Sequence, residues 1–178
     1  MVLIIGMLFS CENKIEEVNT ITQKENLPAE SATEIEIIYS ENGKATMKLT
    51  APQLDRFYGD NPYVEFPKGV HVVFYDSLRN PETSLKSNYA INREADKVME
   101  AKYDVVVINE KGEVLNTEHL IWDQNTEKIH TEKFVKITTA DEIIMGEGME
   151  ADQNFNRYTI KKVTGTINIK DDEDNQIP

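Results

Sequence analysis

The side chains that could carry catalysis are few and scattered. His71, His119 and His130 lie far apart in the sequence, with no spacing that would gather them round a metal ion, and they read as ordinary strand residues. No glycine-rich phosphate loop, Gly-x-Ser-x-Gly elbow or His-Glu-x-x-His run occurs. Two carboxylates could serve as acid and base on a glycoside, but among 32 Asp and Glu residues chance pairs are expected and none is singled out. Trp122 stands where a strand enters a turn, which suits an anchor packed on the neighbouring strand. The expectation is a non-enzymatic protein with no catalytic residue, no metal and no cofactor.

What the chain does offer is apolar surface. In the clearer strands the alternating residues are Val70, Val72 and Phe74, then Tyr103, Val105 and Val107, then Val135 and Ile137, then Val163 and Ile167. Leu85, Leu115 and Ile144 open three copies of one pattern. Stacked strand upon strand, these residues would form continuous apolar rows. They could be a plain core. They could equally line a groove for acyl chains, because hydrocarbon needs burial and not hydrogen bonds.

The pattern that must position them runs from Thr83 to Ile169. Its copies begin at Ser84, Val114 and Ile143, each with an apolar strand leading to an Asp-containing polar turn. A second strand follows at Lys97-Val98-Met99, Lys128-Ile129-His130 and Tyr158-Thr159-Ile160, and a third at Val105, Phe134 and Val163. A period of about thirty residues marks stacked units that bury a core only against their neighbours. Upstream, Glu34 to Ser40 and Ala45 to Ala51 alternate on either side of Glu41-Asn42-Gly43-Lys44, a hairpin signal, with the second run ending at Pro52. Tyr63 to Phe66 and Val70 to Asp76 follow, divided by Pro67-Lys68-Gly69, and Asp76 to Glu82 forms a loop. No helical stripe appears after residue 33. Roughly a dozen short strands predict an all-β fold, an open, twisted β-jelly roll with an exposed strand at each end.

At 178 residues the chain suits one domain, and its net charge of −13 argues against nucleic acid as a partner. Val2 to Ser10 is apolar but too short to span a bilayer, and suits the core of a signal peptide. Leu8-Phe9-Ser10-Cys11 resembles a bacterial lipobox, in which cleavage precedes a cysteine that then carries lipid, although no Lys or Arg precedes the run. The expected organisation is a signal peptide over residues 1–11, a polar tether over 12–33, the β-domain over 34–170 and an acidic tail over 171–178.

The order and spacing of these features resemble the LptC family, the periplasmic component of lipopolysaccharide export, and its OstA/LptA-like relatives. Gly112-Glu113-Val114-Leu115-Asn116-Thr117-Glu118-His119-Leu120-Ile121-Trp122-Asp123 carries the likeness, which continues through Val135-Lys136-Ile137 to Gly146-Glu147-Gly148. It covers residues 34 to 169. The resemblance implies passage of lipopolysaccharide from the inner-membrane ABC transporter across the periplasm to LptA, with acyl chains in the groove and sugars outside. It implies that Thr164, Gly165, Thr166, Ile167, Asn168 and Ile169 form the edge strand that joins an LptA-like protein. Glu34 to Ala51 would lie toward the transporter. LptC proteins are held by a transmembrane helix, whereas Cys11 implies a lipid anchor, on the inner membrane ahead of the outer. The acidic charge suits contact through acyl chains and not through anionic phosphates. The alternative is a surface or periplasmic lipoprotein whose closed β-core serves adhesion or glycan binding.

Overall fold

The computed structural model describes residues 27–169. The signal segment, Cys11, most of the tether and the acidic tail lie outside them. The described residues form eleven strands: β1 (Glu30–Glu41), β2 (Lys44–Phe57), β3 (Tyr63–Phe66), β4 (Val70–Tyr75), β5 (Pro81–Ser87), β6 (Tyr89–Arg93), β7 (Val98–Ile108), β8 (Val114–Asp123), β9 (Lys128–Thr138), β10 (Glu142–Asp152) and β11 (Tyr158–Asn168). They form one antiparallel sheet, twisted and not closed into a barrel. Among the described residues β1 pairs only with β2, and β11 only with β10, so each end of the described sheet presents a free edge.

Local chemistry sets several of the joints. Asn42 and Gly43 both take the left-handed conformation, φ 51° and 75°, and pair Glu41 with Lys44 as a tight hairpin requires. The Asp76 carboxylate accepts the backbone N–H groups of Leu78 and Asn80, both at 2.8 Å, and holds the turn before β5. The same device recurs at Asp123, which accepts from the Asn125 N–H at 2.8 Å, and at Asp152, which accepts from Asn156 at 2.8 Å. These are the polar turns of the second and third repeats.

The repeat differs from its sequence reading in one respect. Its second and third runs are the two halves of one long bent strand, β7, β9 or β11. The bend falls at matching heights on successive strands. Glu34 (φ 54°) faces Pro52 across the β1–β2 pair, Gly69 has φ 86°, Tyr103 and Asp104 have φ 63° and 52°, and Gly148 has φ 72°. Register shifts fall between Lys102 and Val105, between Thr117 and Ile121, and between Glu147 and Met149. A bulge bends its strand and adds twist; a row of them creases the whole sheet. Pro52 does not end β2, as the sequence suggests, because it lies in this crease, where β2 switches partner from β4 to β3 and no N–H is needed. Gly146 and Gly148 mark the place where β10 crosses the crease. A Cβ on Gly146 would collide with the Ile160 side chain and the Lys162 carbonyl.

Folding along the crease brings two arms face to face. One buried cluster joins Val105, Val107, Leu115, Val135 and Ile137 of the first arm to Ala101, Leu120, Ile129, Met149 and Ala151 of the second. The other joins Leu49, Ala51, Val70 and Val72 to Val64, Phe66 and Ala90. On the first arm the pairing registers align Ile37, Leu49, Val72, Leu85, Val107, Leu115, Ile137 and Ile144 as one row across the sheet. Burial of such rows is what holds the arms together, at roughly 1.5–3 kcal/mol for each fully buried aliphatic side chain.

Candidate functional site

Between the free ends of the arms lies a cleft of about 840 Å³. The first arm contributes Met47, Leu49 and Phe74 to its floor, and the second contributes Phe66, Met99 and Trp122. Phe74 and Trp122 meet edge to face across it, centroids 5.7 Å apart. Below, Val72, Leu85, Ala101 and Leu120 extend the apolar lining inward round a narrow void. The rim is charged: Glu41, Glu82, Glu94 and Glu127 stand there with Lys97.

The turn from β10 to β11 closes one end of the cleft. Gln153 and Asn154 line it, and Phe155 is fully buried behind them, stacked on Tyr158 at 5.2 Å. Two hydrogen bonds tie this turn to the opposite arm. Asn109 Nδ2 donates to the Phe155 carbonyl at 3.2 Å, and Thr83 Oγ1 donates to the Asn154 carbonyl at 3.0 Å.

The residues expected to line a groove fall into three groups. Val70, Val72, Val105, Val107, Leu115, Val135 and Ile137 are buried, five of them at 2% exposure or less, and form the dry interior between the arms. Phe74, Leu85 and Ile144 are half-buried, and of these Phe74 faces the cleft. Tyr103, Val163 and Ile167 are exposed. Tyr103 leaves the interior because it sits in the crease bulge, turned out against Tyr89 with ring centroids 6.1 Å apart. Ile167 is displaced by register. Met145 pairs with Gly165 but Gly146 pairs with Val163, so one extra residue in β11 flips the rest of the strand, and Thr166 stands beside Ile144. The expected partner strand, Thr164, Gly165, Thr166, Ile167 and Asn168, lies on the free edge β11, with Ile169 just beyond it.

Sequence reasoning missed Met47, Met99, Asn92 and Phe66. Met99 falls in the second run of the first repeat and Met47 in an alternating run, so both methionines look like ordinary strand residues, although Met adapts well to irregular apolar ligands. Trp122, expected as an anchor on the neighbouring strand, packs against the first buried cluster and meets Phe74 of the opposite arm, and so forms part of the floor of the cleft.

Among the described residues a cluster of four charged or ionisable side chains faces away from the cleft. Glu100, on the side of β7 opposite Ala101, receives Arg93, Lys102 Nζ at 2.9 Å and His119 Nε2 at 3.1 Å. Burial pushes its carboxyl up, but the hydrogen bonds from Lys102, Arg93 and His119 outweigh this and hold it at about 2. A depressed carboxylate stabilises the fold above its unfolded pKa, near 4.5, and that contribution is lost as pH falls through about 2. Glu100→Gln therefore flattens the loss of stability between these pH values, read as urea midpoints across an acid series. An unchanged acid limb would remove Glu100 from the acid response.

Among the described residues no group of histidines, cysteines and carboxylates could hold a metal ion. The chemistry available is burial of an apolar ligand. The sequence model of a family described as lipopolysaccharide-assembly, LptC-related, matches residues 1–168. No curated protein matches the chain.

Proposed function

The chain belongs to the LptC-related lipopolysaccharide-assembly family, and from that premise we propose that it carries lipopolysaccharide by its acyl chains in the cleft between the arms. Its family is one of transport components, generally non-enzymatic, and membership supports a role in lipopolysaccharide assembly within the cell envelope. The observation that supports the finer reading is the cleft itself: about 840 Å³, apolar in its floor and charged at its rim. That volume falls within the roughly 300–1,000 Å³ of small-ligand sites. Acyl chains would lie along Met47, Phe74, Met99 and Trp122, with the sugars outside the acidic rim.

The reading extends to partners and anchor. β1 would join the periplasmic domain of an inner-membrane ABC transporter, and β11 an LptA-like protein, since free strand edges take up a further strand through their unpaired N–H and C=O groups. A lipid on Cys11 would hold the domain at the membrane. Photo-crosslinking in cells tests the conduit. A benzophenone amino acid in place of Met99 should give a lipopolysaccharide adduct. The same residue in place of Phe134, which is 52% exposed on the sheet, should give none. Adducts at neither position, in folded and expressed protein, would favour the adhesion-type lipoprotein.

A further inference from the structure

The cleft is shut on the side that leads to β11. There the arms close over Val105, Leu115, Val135, Ile137 and Met149, and the Phe155 ring belongs to the same buried cluster. Every other described member of that cluster stands on one of the strands β7 to β10. Each of those strands is hydrogen-bonded to a neighbour on both sides, so their side chains cannot leave without breaking the sheet. Phe155 alone comes from a turn, residues 153–157, whose first two residues, Gln153 and Asn154, close the end of the cleft. A ligand held over Met99 and Trp122 therefore meets a dead end before it reaches the free edge.

We propose that this turn is a latch: it keeps the way from the cleft to the β11 edge closed, and opens by withdrawing Phe155 while the sheet stays intact. This rests on the acyl-chain reading of the cleft. The way the turn is attached carries the inference. Two hydrogen bonds fasten it to the opposite arm, from Thr83 Oγ1 to the Asn154 carbonyl at 3.0 Å and from Asn109 Nδ2 to the Phe155 carbonyl at 3.2 Å. Both donors are side chains, each 4% exposed, and neither bond belongs to the pairing of any strand. The turn keeps its own frame without them. Asp152 accepts the N–H groups of Asn156 at 2.8 Å and Arg157 at 3.1 Å, and the Phe155 N–H donates to the Asp152 carbonyl at 3.0 Å. Its base stays on its own arm, where the Gln153 N–H donates to the Glu127 carbonyl at 3.1 Å. The turn can thus swing as a unit once the two cross-arm bonds break. Burial of the ring and those bonds keep the closed form in the majority, and a gate needs only a minor open form. Turns that open ahead of the strands around them are drawn from the less stable parts of a fold.

Amide hydrogen exchange on the unaltered full chain, in urea too dilute to unfold it, tests the opening. The amides of Phe155 and Asn156 should exchange at least about tenfold faster than that of Val135, with little dependence on urea. Exchange of all three at one rate, rising together with urea, would overturn the latch, because the turn would then open only when the whole domain unfolds. In-cell photo-crosslinking tests the passage. A benzophenone amino acid is placed at Met99, in the cleft, or at Ile160, which packs against the buried cluster from β11, and adducts with lipopolysaccharide are measured. Thr83→Val removes one cross-arm bond with little change of shape, and should raise the Ile160 to Met99 adduct ratio by roughly two- to tenfold, the range for one neutral hydrogen bond. Asn109→Asp keeps the oxygen that accepts the Lys111 and Glu113 N–H groups but loses the donor to Phe155, and should raise the ratio in the same direction. A ratio unchanged in both variants would overturn the gate. No adduct at Met99 would overturn the acyl-cleft reading and the gate's role with it, whatever the exchange rates show. The exchange measurement needs no variant, so a folding defect in either substitution leaves it decisive.

Discussion

Replacing Val135 by Asp leaves the domain unfolded or nearly so at 25 °C. Val135 is 0% exposed, in the cluster that joins the arms, with Val105 and Thr117 beside it on the same row. A carboxylate there has no cation to pair with among the residues of that cluster. It would take up a proton, and even so the buried polar group costs several kcal/mol. An expected loss of about 4 kcal/mol or more compares with a total stability of roughly 5–15 kcal/mol for a domain. Val163→Asp lies on the same row, across Gly146, but is 57% exposed on the edge strand, and should change stability by less than about 0.5 kcal/mol. Urea denaturation followed by circular dichroism separates the two. A folded, near-normal Val135→Asp protein would mean that water reaches this row and that the conduit runs through it, contrary to a sealed interior.

Phe155→Ala should cost about 3–5 kcal/mol, the usual range for emptying a buried phenylalanine site. The ring is 0% exposed and stacked on Tyr158, and the turn that carries it is tied by Asn109 and Thr83 to the opposite arm. Neighbouring backbone cannot collapse into the space without breaking those ties. Phe155 also takes a left-handed φ of 57°, which an L-residue adopts at a cost of about 1–2 kcal/mol. Phe155→Gly removes the same ring but relieves that strain, so it should be the more stable of the two variants by roughly 1 kcal/mol. That order reverses the usual one, in which glycine is worse than alanine. Urea midpoints for the pair give the answer, and alanine ranking above glycine would show that the conformation is unstrained.

Sequence alone carried the fold a long way. Alternation is a local property, so Glu34 to Ser40 and Ala45 to Ala51 could be recognised as strands without knowing what they face, and Asn42-Gly43 named its own turn. The thirty-residue repeat announced units that stack, and hence a sheet with two ends. Apolar rows could also be foreseen: Val72, Leu85, Val107, Leu115, Ile137 and Ile144 do align across the sheet. β1 begins at Glu30, a few residues before the expected start of the domain, because pairing with β2 orders a stretch whose composition reads as linker.

The candidate site was less legible. Whether an apolar row becomes core or cleft depends on what lies opposite, and that is fixed by the crease. Bulges shift pairing by a residue between strands distant in sequence, and each shift changes which face a side chain takes; Val163 and Ile167 look equivalent in the chain and are not. The arms meet tightly over Val105 and Val135 but stay apart over Met99 and Trp122. Residue types and period therefore determined an open β-sheet with apolar rows and free edges. Only the tertiary structure decided where those rows close into a core and where they leave room for a ligand, because that separation is set by cross-sheet geometry and not by any local run of residues.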